Sequence, residues 1–303
     1  MRALFTGACW NRFHDNYFMR DLSFAKGHGL GNDYLVVDSA DLSFDVTPAF
    51  IRAICDRHRG AGSDGLLVGT IGNNSIALRI YNPDGTEAEK SGNGLRIFGA
   101  YLHGRGLVGD QWFDVKLVKD TVSMRIEQEL DGGALMIRAA MGRADFAEAA
   151  VSFSGRSGED LALPEGGSAA VVTVSLSNPH CVVFVEALER TDFLRRAPQL
   201  SNHAAFRFGT NVQFARVVDR NHVQAWIWER GVGETLASGS SSCAVAAAAV
   251  KRGGVDAGLV TVQMPGGEAE VEVRDDFEVL LRAPAQIILS GEIPAEVVTS
   301  WIR

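Results

Sequence analysis

The chain has 303 residues, 46% of them hydrophobic, and 33 glycines, enough for one large or two ordinary domains with many turns. A formal charge of −8 with no long Lys/Arg run excludes nucleic acid as a main partner and fits a small polar substrate. Four scattered cysteines, Cys9, Cys55, Cys181 and Cys243, lack C-x-x-C spacing, so neither a metal site nor a disulfide framework is suggested; a reducing cytoplasm is the expected compartment.

Residues 1–18 hold Cys9, Trp10, Phe13, Tyr17 and Phe18, without an apolar run long enough for an export signal or a membrane span. They read either as an extension or as an ordered arm over an apolar patch. Residues 22–38 predict strand, loop, strand, with G-H-G-L-G-N-D-Y at 27–34. This G-x-G is not a dinucleotide fingerprint, because the third glycine position is Tyr34 and no helix follows. Asn32 in the loop either holds a turn or offers its amide to an amino-acid head group.

Residues 48–58 predict a helix, with Thr47 as N-cap, Pro48 at the first position, Phe50, Ile51 and Ile54 on one face and Cys55 in the core. R-H-R-G-A-G-S-D-G at 57–65 is a turn, L-L-V-G-T a strand, and I-A-L-R-I-Y at 76–81 a strand that delivers Asn82. Next, Y-N-P-D-G-T-E-A-E-K-S-G-N-G-L-R-I-F-G-A at 81–100 predicts a turn and then a helix opening at Ser91-Gly92, with Leu95, Phe98 and Leu102 on its apolar face. The unpaired N–H groups of such an opening suit an anion, and the glycines let it approach the backbone. Taken alone, S-G-N-G is only a capped helix start.

Residues 112–143 alternate as an antiparallel meander, and 152–170, rich in Gly, Ser and acids, read as an exposed loop. Residues 171–186 predict two strands joined by S-N-P-H, with Asn178 and His180 at the turn and Cys181 in the core. R-F-G-T-N-V-Q-F-A presents Asn211 ahead of a strand. The strand 223–228 then feeds Glu229 and Arg230, one acid and one fixed cation, into W-E-R-G-V-G-E-T-L-A-S-G-S-S-S-C-A-V. There a second helix opens at Ser238-Gly239. V-T-V-Q-M, A-E-V-E-V-R and E-V-L-L-R are strands, followed by A-P-A-Q-I-I-L-S-G-E-I.

The two openings, with the G-L-G-N-D, R-G-A-G-S-D-G and S-N-P-H-C-V blocks, resemble the diaminopimelate epimerase family from about residue 21 to the end. The resemblance implies an α/β (α+β) fold of two similar lobes, each a mostly antiparallel sheet curled around a central helix, with the ligand between them. Lobe one would be 19–135 with 284–303 returning to it, lobe two 136–283, and Met19 a natural start that leaves 1–18 as an extension. By the same resemblance Asn32, Asn82, Gly92, Asn93, Asn178, Asn211, Glu229, Arg230, Gly239 and Ser240 would contact an amino-acid substrate. A homodimer is permitted, and the pathway implied is lysine and cell-wall precursor biosynthesis.

No pyridoxal-lysine motif is evident, so no cofactor is expected. The carbanion would be stabilised by a carboxylate held between two helix N-termini, with an acid/base group on each face of the α-carbon. The family carries a cysteine at each opening, where this chain has Ser91 and Ser238. A thiol, with an ordinary pKa of about 8.5, becomes anionic there and an alcohol does not. The serines can act only if a neighbour takes their protons: His180 for one, Glu229 for the other, with Lys90 a further option. Cys243, five residues beyond Ser238, is too far into the helix to substitute. Three functions are compatible: an epimerase of diaminopimelate or a related amino acid; a one-base dehydratase, isomerase or racemase of another amino acid; or an amino-acid-binding protein without catalysis.

Overall fold

The computed structural model describes residues 20–72 and 75–302; residues 1–18, read above as an extension or arm, lie outside the described residues. Two runs of strands repeat one order of pairing. In the first, β1 (Leu22–Gly29) and β2 (Asn32–Asp38) form a hairpin turning on Leu30 and Gly31, both at positive φ. Helix α1 (Pro48–Cys55) crosses to β3 (Leu66–Gly72), which is parallel to β2. Antiparallel β4 (Ser75–Tyr81) follows, with the short β5 (Glu87–Ala88) beside it. Helix α2 (Gly92–Gly104) crosses to β6 (Phe113–Lys116), parallel to β4, and β7 (Thr121–Glu129) and β8 (Leu135–Arg143) complete a meander.

After a short β9 (Asp160–Ala162) the order recurs. Strands β10 (Ser168–Ser175) and β11 (Pro179–Phe184) form a hairpin, and α3 (Arg190–Ser201) crosses to the parallel β12 (Asn211–Val217). Antiparallel β13 (His222–Glu229) carries the short β14 (Gly233–Thr235), and α4 (Gly239–Lys251) crosses to β15 (Gly258–Met264), parallel to β13. The meander then runs through β16 (Gly267–Val273) and β17 (Glu278–Ile293) to α5 (Ala295–Trp301). Every parallel pair is thus spanned by a helix, as a crossover requires.

The 16-residue β17 joins the two runs: its first half pairs with β8 and β16, its second half with β1. The first run is closed into a ring by β1, β17 and β8, and the second by the Asp145–Ser175 bridge, so few edges stay unpaired. Each ring wraps one helix. Gly239 to Ala249 of α4 are all buried, as a helix of small apolar residues must be when a sheet surrounds it. Among the described residues no helix is long and apolar enough to cross a membrane.

Several expectations need correction. The stretch 152–170 is not simply an exposed loop: β9 pairs with β10, Leu163 is buried, and Phe153 stacks on Phe206 with ring centroids 4.6 Å apart. Its few apolar residues stand singly among Gly, Ser and acids, which hides them from any periodicity. Helix α3 is not evident in the sequence because only Phe193, Ala197, Leu200 and Ser201 are buried and Pro198 lies inside it. Thr47 does cap α1, accepting from the Phe50 N–H, but the helix stops at Cys55 rather than His58. The last two predicted strands merge into β17.

Candidate active site

The N-termini of α2 and α4 meet backbone to backbone. A Cβ on Gly92 would lie 2.8 Å from Gly239 Cα, and one on Gly239 only 2.7 Å from Gly92 Cα, so both positions require glycine. Asn93 Nδ2 donates to Asn32 Oδ1 at 2.9 Å and to the Ala237 carbonyl at 3.0 Å, tying one opening to the other. Asn32 stands at the start of β2, not in a loop, and donates to Asp64 at 2.9 Å. The side chains of Asn32 and Asn93 are thus engaged in a buried frame at the back of the cleft, and Gly92 and Gly239 are buried where the two openings meet. Gly239→Ala is expected to force the helices apart and destabilise the fold by about 1–3 kcal/mol, measurable as a lower urea midpoint.

In front of this frame lies a cleft of about 310 Å³. Asn82 and Ser91 come to it from the first run; Asn178, Asn211, Glu229, Arg230, Ser238 and Ser240 come from the second. The two serines differ in their engagements. Ser91 Oγ caps α2, accepting from the Gly94 N–H at 3.0 Å, and lies 3.4 Å from Tyr34 Oη. Ser238 makes no side-chain cap bond; its hydroxyl stands beside the Glu229 carboxyl and shares the cleft with it. Burial pushes the Glu229 carboxyl above the usual carboxylate range; the neighbouring Ser238 hydroxyl opposes this and the Asp64 charge adds to it. Burial, and then the Glu229 charge, likewise raise the Tyr34 phenol. Tyr34 also lines the cleft, a placement that Y-L-V-V-D, read only as a strand, did not disclose.

The other candidate proton acceptors are buried or already paired. His180 is fully buried behind the cleft wall: Nε2 shares a hydrogen bond with Asn178 Oδ1 at 2.9 Å and Nδ1 with Gln213 Nε2 at 3.1 Å. An amide nitrogen only donates, so Nδ1 accepts and the neutral ring carries its proton on Nε2. Burial, then the Arg230 charge, lower its pKa to about 3, with Gln213 opposing. His180 is thus corrected from a serine's base to an orienter of Asn178, whose amide donates to Ser240 Oγ at 3.3 Å. Lys90 lines the cleft, but its Nζ is taken up by Asp120 and by the Met141 carbonyl, each at 2.8 Å. Cys243 is buried deep in α4, and burial pushes its thiol up to about 12.

The His180 environment sets a stability test. The unfolded histidine takes up a proton near its ordinary value of 6.5 while the folded one stays neutral down to about 3, so stability is lost as pH falls through that window. The loss is on the order of 4 kcal/mol. Urea midpoints measured against pH should show this slope in the wild type and a flatter one in His180→Gln.

Polar side chains position the rest of the wall. Asn211 accepts from the Arg230 N–H at 2.9 Å and donates to the Pro179 carbonyl at 2.9 Å, which fixes the turn carrying Glu229 and Arg230. Arg230 is exposed and gives one guanidinium bond to the Phe208 carbonyl at 3.0 Å. Asn82 Nδ2 donates to Thr86 Oγ1 at 2.9 Å, leaving its carbonyl oxygen for a ligand ammonium.

Paired rings around two helices, with both helix openings at one polar cleft, make a two-lobed α/β fold that is shared with solved proteins. The chain is similar over 91% of its length to a hydroxyproline epimerase from Agrobacterium vitis solved with trans-4-hydroxy-L-proline bound, 93% of that chain being covered, with a TM-score of 0.71 at 14% identity. The profile of the diaminopimelate epimerase family matches residues 24–147 and 172–288. Diaminopimelate epimerase 2 of a Nostoc species is 38% identical over 281 residues, which are 91% of this chain and 97% of that relative. The diaminopimelate epimerase of Desulforudis audaxviator is 38% identical over 288 residues, 93% of this chain and 100% of the relative. The chain belongs to the diaminopimelate epimerase family.

Proposed function

We propose that this protein is a cofactor-independent amino-acid epimerase acting on diaminopimelate, interconverting the LL and meso forms in lysine and cell-wall precursor biosynthesis, with serines in the two acid/base positions. The observation that carries this reading is that the Glu229 carboxyl and the Ser238 hydroxyl line one cleft together with Ser91, between two helix N-termini, with Ser238 acting on the Glu229 carboxyl. The unpaired N–H groups and partial positive charge of those termini hold the substrate carboxylate and stabilise the carbanion as it forms. On one face, Ser238 oxygen takes the α-proton while its own proton passes to Glu229, whose burial makes it a stronger base than an ordinary carboxylate. On the other face, Ser91 delivers a proton, with the Tyr34 hydroxyl behind it. Asn82, Asn178, Asn211, Arg230 and Ser240 orient the rest of the ligand.

The test is proton NMR of LL- and meso-diaminopimelate in deuterated buffer. Loss of the α-proton signal with inversion is expected; binding without exchange would sink the reading and leave an amino-acid-binding protein. A second reading, a one-base dehydratase, isomerase or racemase of another amino acid, draws support from an asymmetry: Ser238 has the Glu229 carboxyl beside it, while Ser91 is engaged by Tyr34 and the Gly94 N–H. It predicts exchange or elimination without efficient inversion on a wider panel of amino acids. Lobes of 19–135 with 284–303 and of 136–283 belong to the same proposal. So does a cytoplasmic location, supported by the buried free thiols Cys55, Cys181 and Cys243. A homodimer is also part of it, checked by sedimentation.

A further inference from the structure

Arg96 lies on α2 with its side chain fully buried, and among the described residues no carboxylate pairs with it. Its Nη1 donates to the Gly92 carbonyl at 2.9 Å, its Nη2 to Asn93 Oδ1 at 2.7 Å, and its Nε has no partner. A Cβ built on Gly239 would lie 2.9 Å from Nη1, and one on Gly29 3.0 Å from Nη2, so the guanidinium sits directly beneath the contact between the two helix openings. Burial pulls its pKa down to about 10, which still leaves it charged at neutral pH. An uncompensated buried cation costs several kcal/mol, and carbonyl dipoles offset only part of that. An arginine kept there needs an electrostatic reason.

We infer that Arg96 is the buried counter-charge of a carboxylate site, the anion being the ligand carboxylate seated on the openings of α2 and α4 directly above it. Arg96 does not touch the ligand. It is a positioning residue that adds a full positive charge to the two partial charges of the helix termini, in surroundings where water screens little. The inference rests on the reading that an amino-acid carboxylate occupies this junction, and it adds what makes a carboxylate, rather than its neutral amide, the group bound there. It also explains the absence of an acidic partner. A protein carboxylate beside Arg96 would neutralise the charge that the ligand is meant to meet.

The test compares meso-diaminopimelate with its diamide by calorimetric titration of wild type, Arg96→Gln and Arg96→Lys. Arg96→Gln is expected to weaken the dicarboxylate by about tenfold or more and the diamide by less than about threefold, while Arg96→Lys recovers most of the loss. Equal weakening of acid and amide would make Arg96 a purely structural residue and overturn the inference, as would unchanged binding of the acid. Should Arg96→Gln fail to fold, the wild type decides: acetate should raise the thermal midpoint saturably and acetamide should not, and equal shifts would overturn the inference. The two levels of reading fail separately. A wild type that exchanges α-protons while Arg96→Gln keeps full affinity for the acid sinks only the role of Arg96. A wild type that neither binds nor exchanges any amino acid sinks the epimerase reading and this inference with it.

Discussion

Glu229→Gln is expected to lower the rate of α-proton exchange by about 10²–10⁴-fold, the range for losing a positioned general base. The amide keeps the shape of the carboxyl and can still bond to Ser238, but it cannot take the serine's proton. Ligand affinity should change little, because the carboxylate of the substrate is held by the helix openings. The same substitution has a stability signature with a definite sign. The folded Glu229 has its pKa raised above the ordinary value of 4.5, so between 4.5 and that raised value the folded state binds more protons than the unfolded one. Stability therefore falls as pH rises through this window, and the cost persists at neutral pH. Glu229→Gln should remove it: the variant unfolds at a higher temperature than wild type at pH 7 and at the same temperature below pH ~4. A variant that exchanges α-protons as fast as wild type would remove Glu229 from the mechanism.

The parts of this site that were legible in the sequence are those encoded locally. A glycine just inside a predicted helix start, twice, marked Gly92 and Gly239, and the period-2 strands around them marked what delivers each opening. Asn211, Glu229 and Arg230 stand at or beside strand ends, where the strand pattern puts them, but their choice as ligands rests on the family resemblance. What stayed hidden depends on chain closure. Tyr34 and Ser91 are 57 positions apart and meet only when β2 and α2 share a ring. Gln213, which fixes the His180 tautomer, looked like an ordinary strand residue. In L-R-I-F an arginine is expected on the solvent face of its helix; Gly29 of β1 and Gly239 of α4, far away in the chain, close on its guanidinium and bury Arg96. His180 carried the opposite error. A histidine after Asn-Pro at a turn reads as accessible, yet pairing in β11 turns its ring into the interior.

Replacing both serines at once is the converse experiment, and Ser91→Cys with Ser238→Cys is expected to accelerate epimerisation on the order of 100-fold over wild type. Each acid/base group must surrender a proton before it can accept one. An alcohol needs Glu229 or Tyr34 to move its proton in the same event, whereas a thiol at a helix N-terminus has a pKa of about 3.5–7.5 and starts as thiolate. The two positions should not respond alike. The Glu229 carboxylate beside position 238 opposes a second negative charge there, so a cysteine in place of Ser238 should stay a thiol at neutral pH. Position 91 has the neutral Tyr34 hydroxyl and the Gly94 N–H as donors, so a cysteine in place of Ser91 should hold the thiolate. One thiolate facing one thiol is the resting state that two-base inversion needs. The loss of the Ser91 cap costs about 1 kcal/mol of stability, too little to unfold the protein. Single variants should gain less than the pair, since a lone thiolate removes a proton but still relies on a serine to return one. The rate of inversion by NMR decides the matter, and iodoacetamide should label position 91 first. A double variant no faster than wild type would mean that positions 91 and 238 are not the acid/base positions. The one-base reading would then have to account for the Glu229–Ser238 pair.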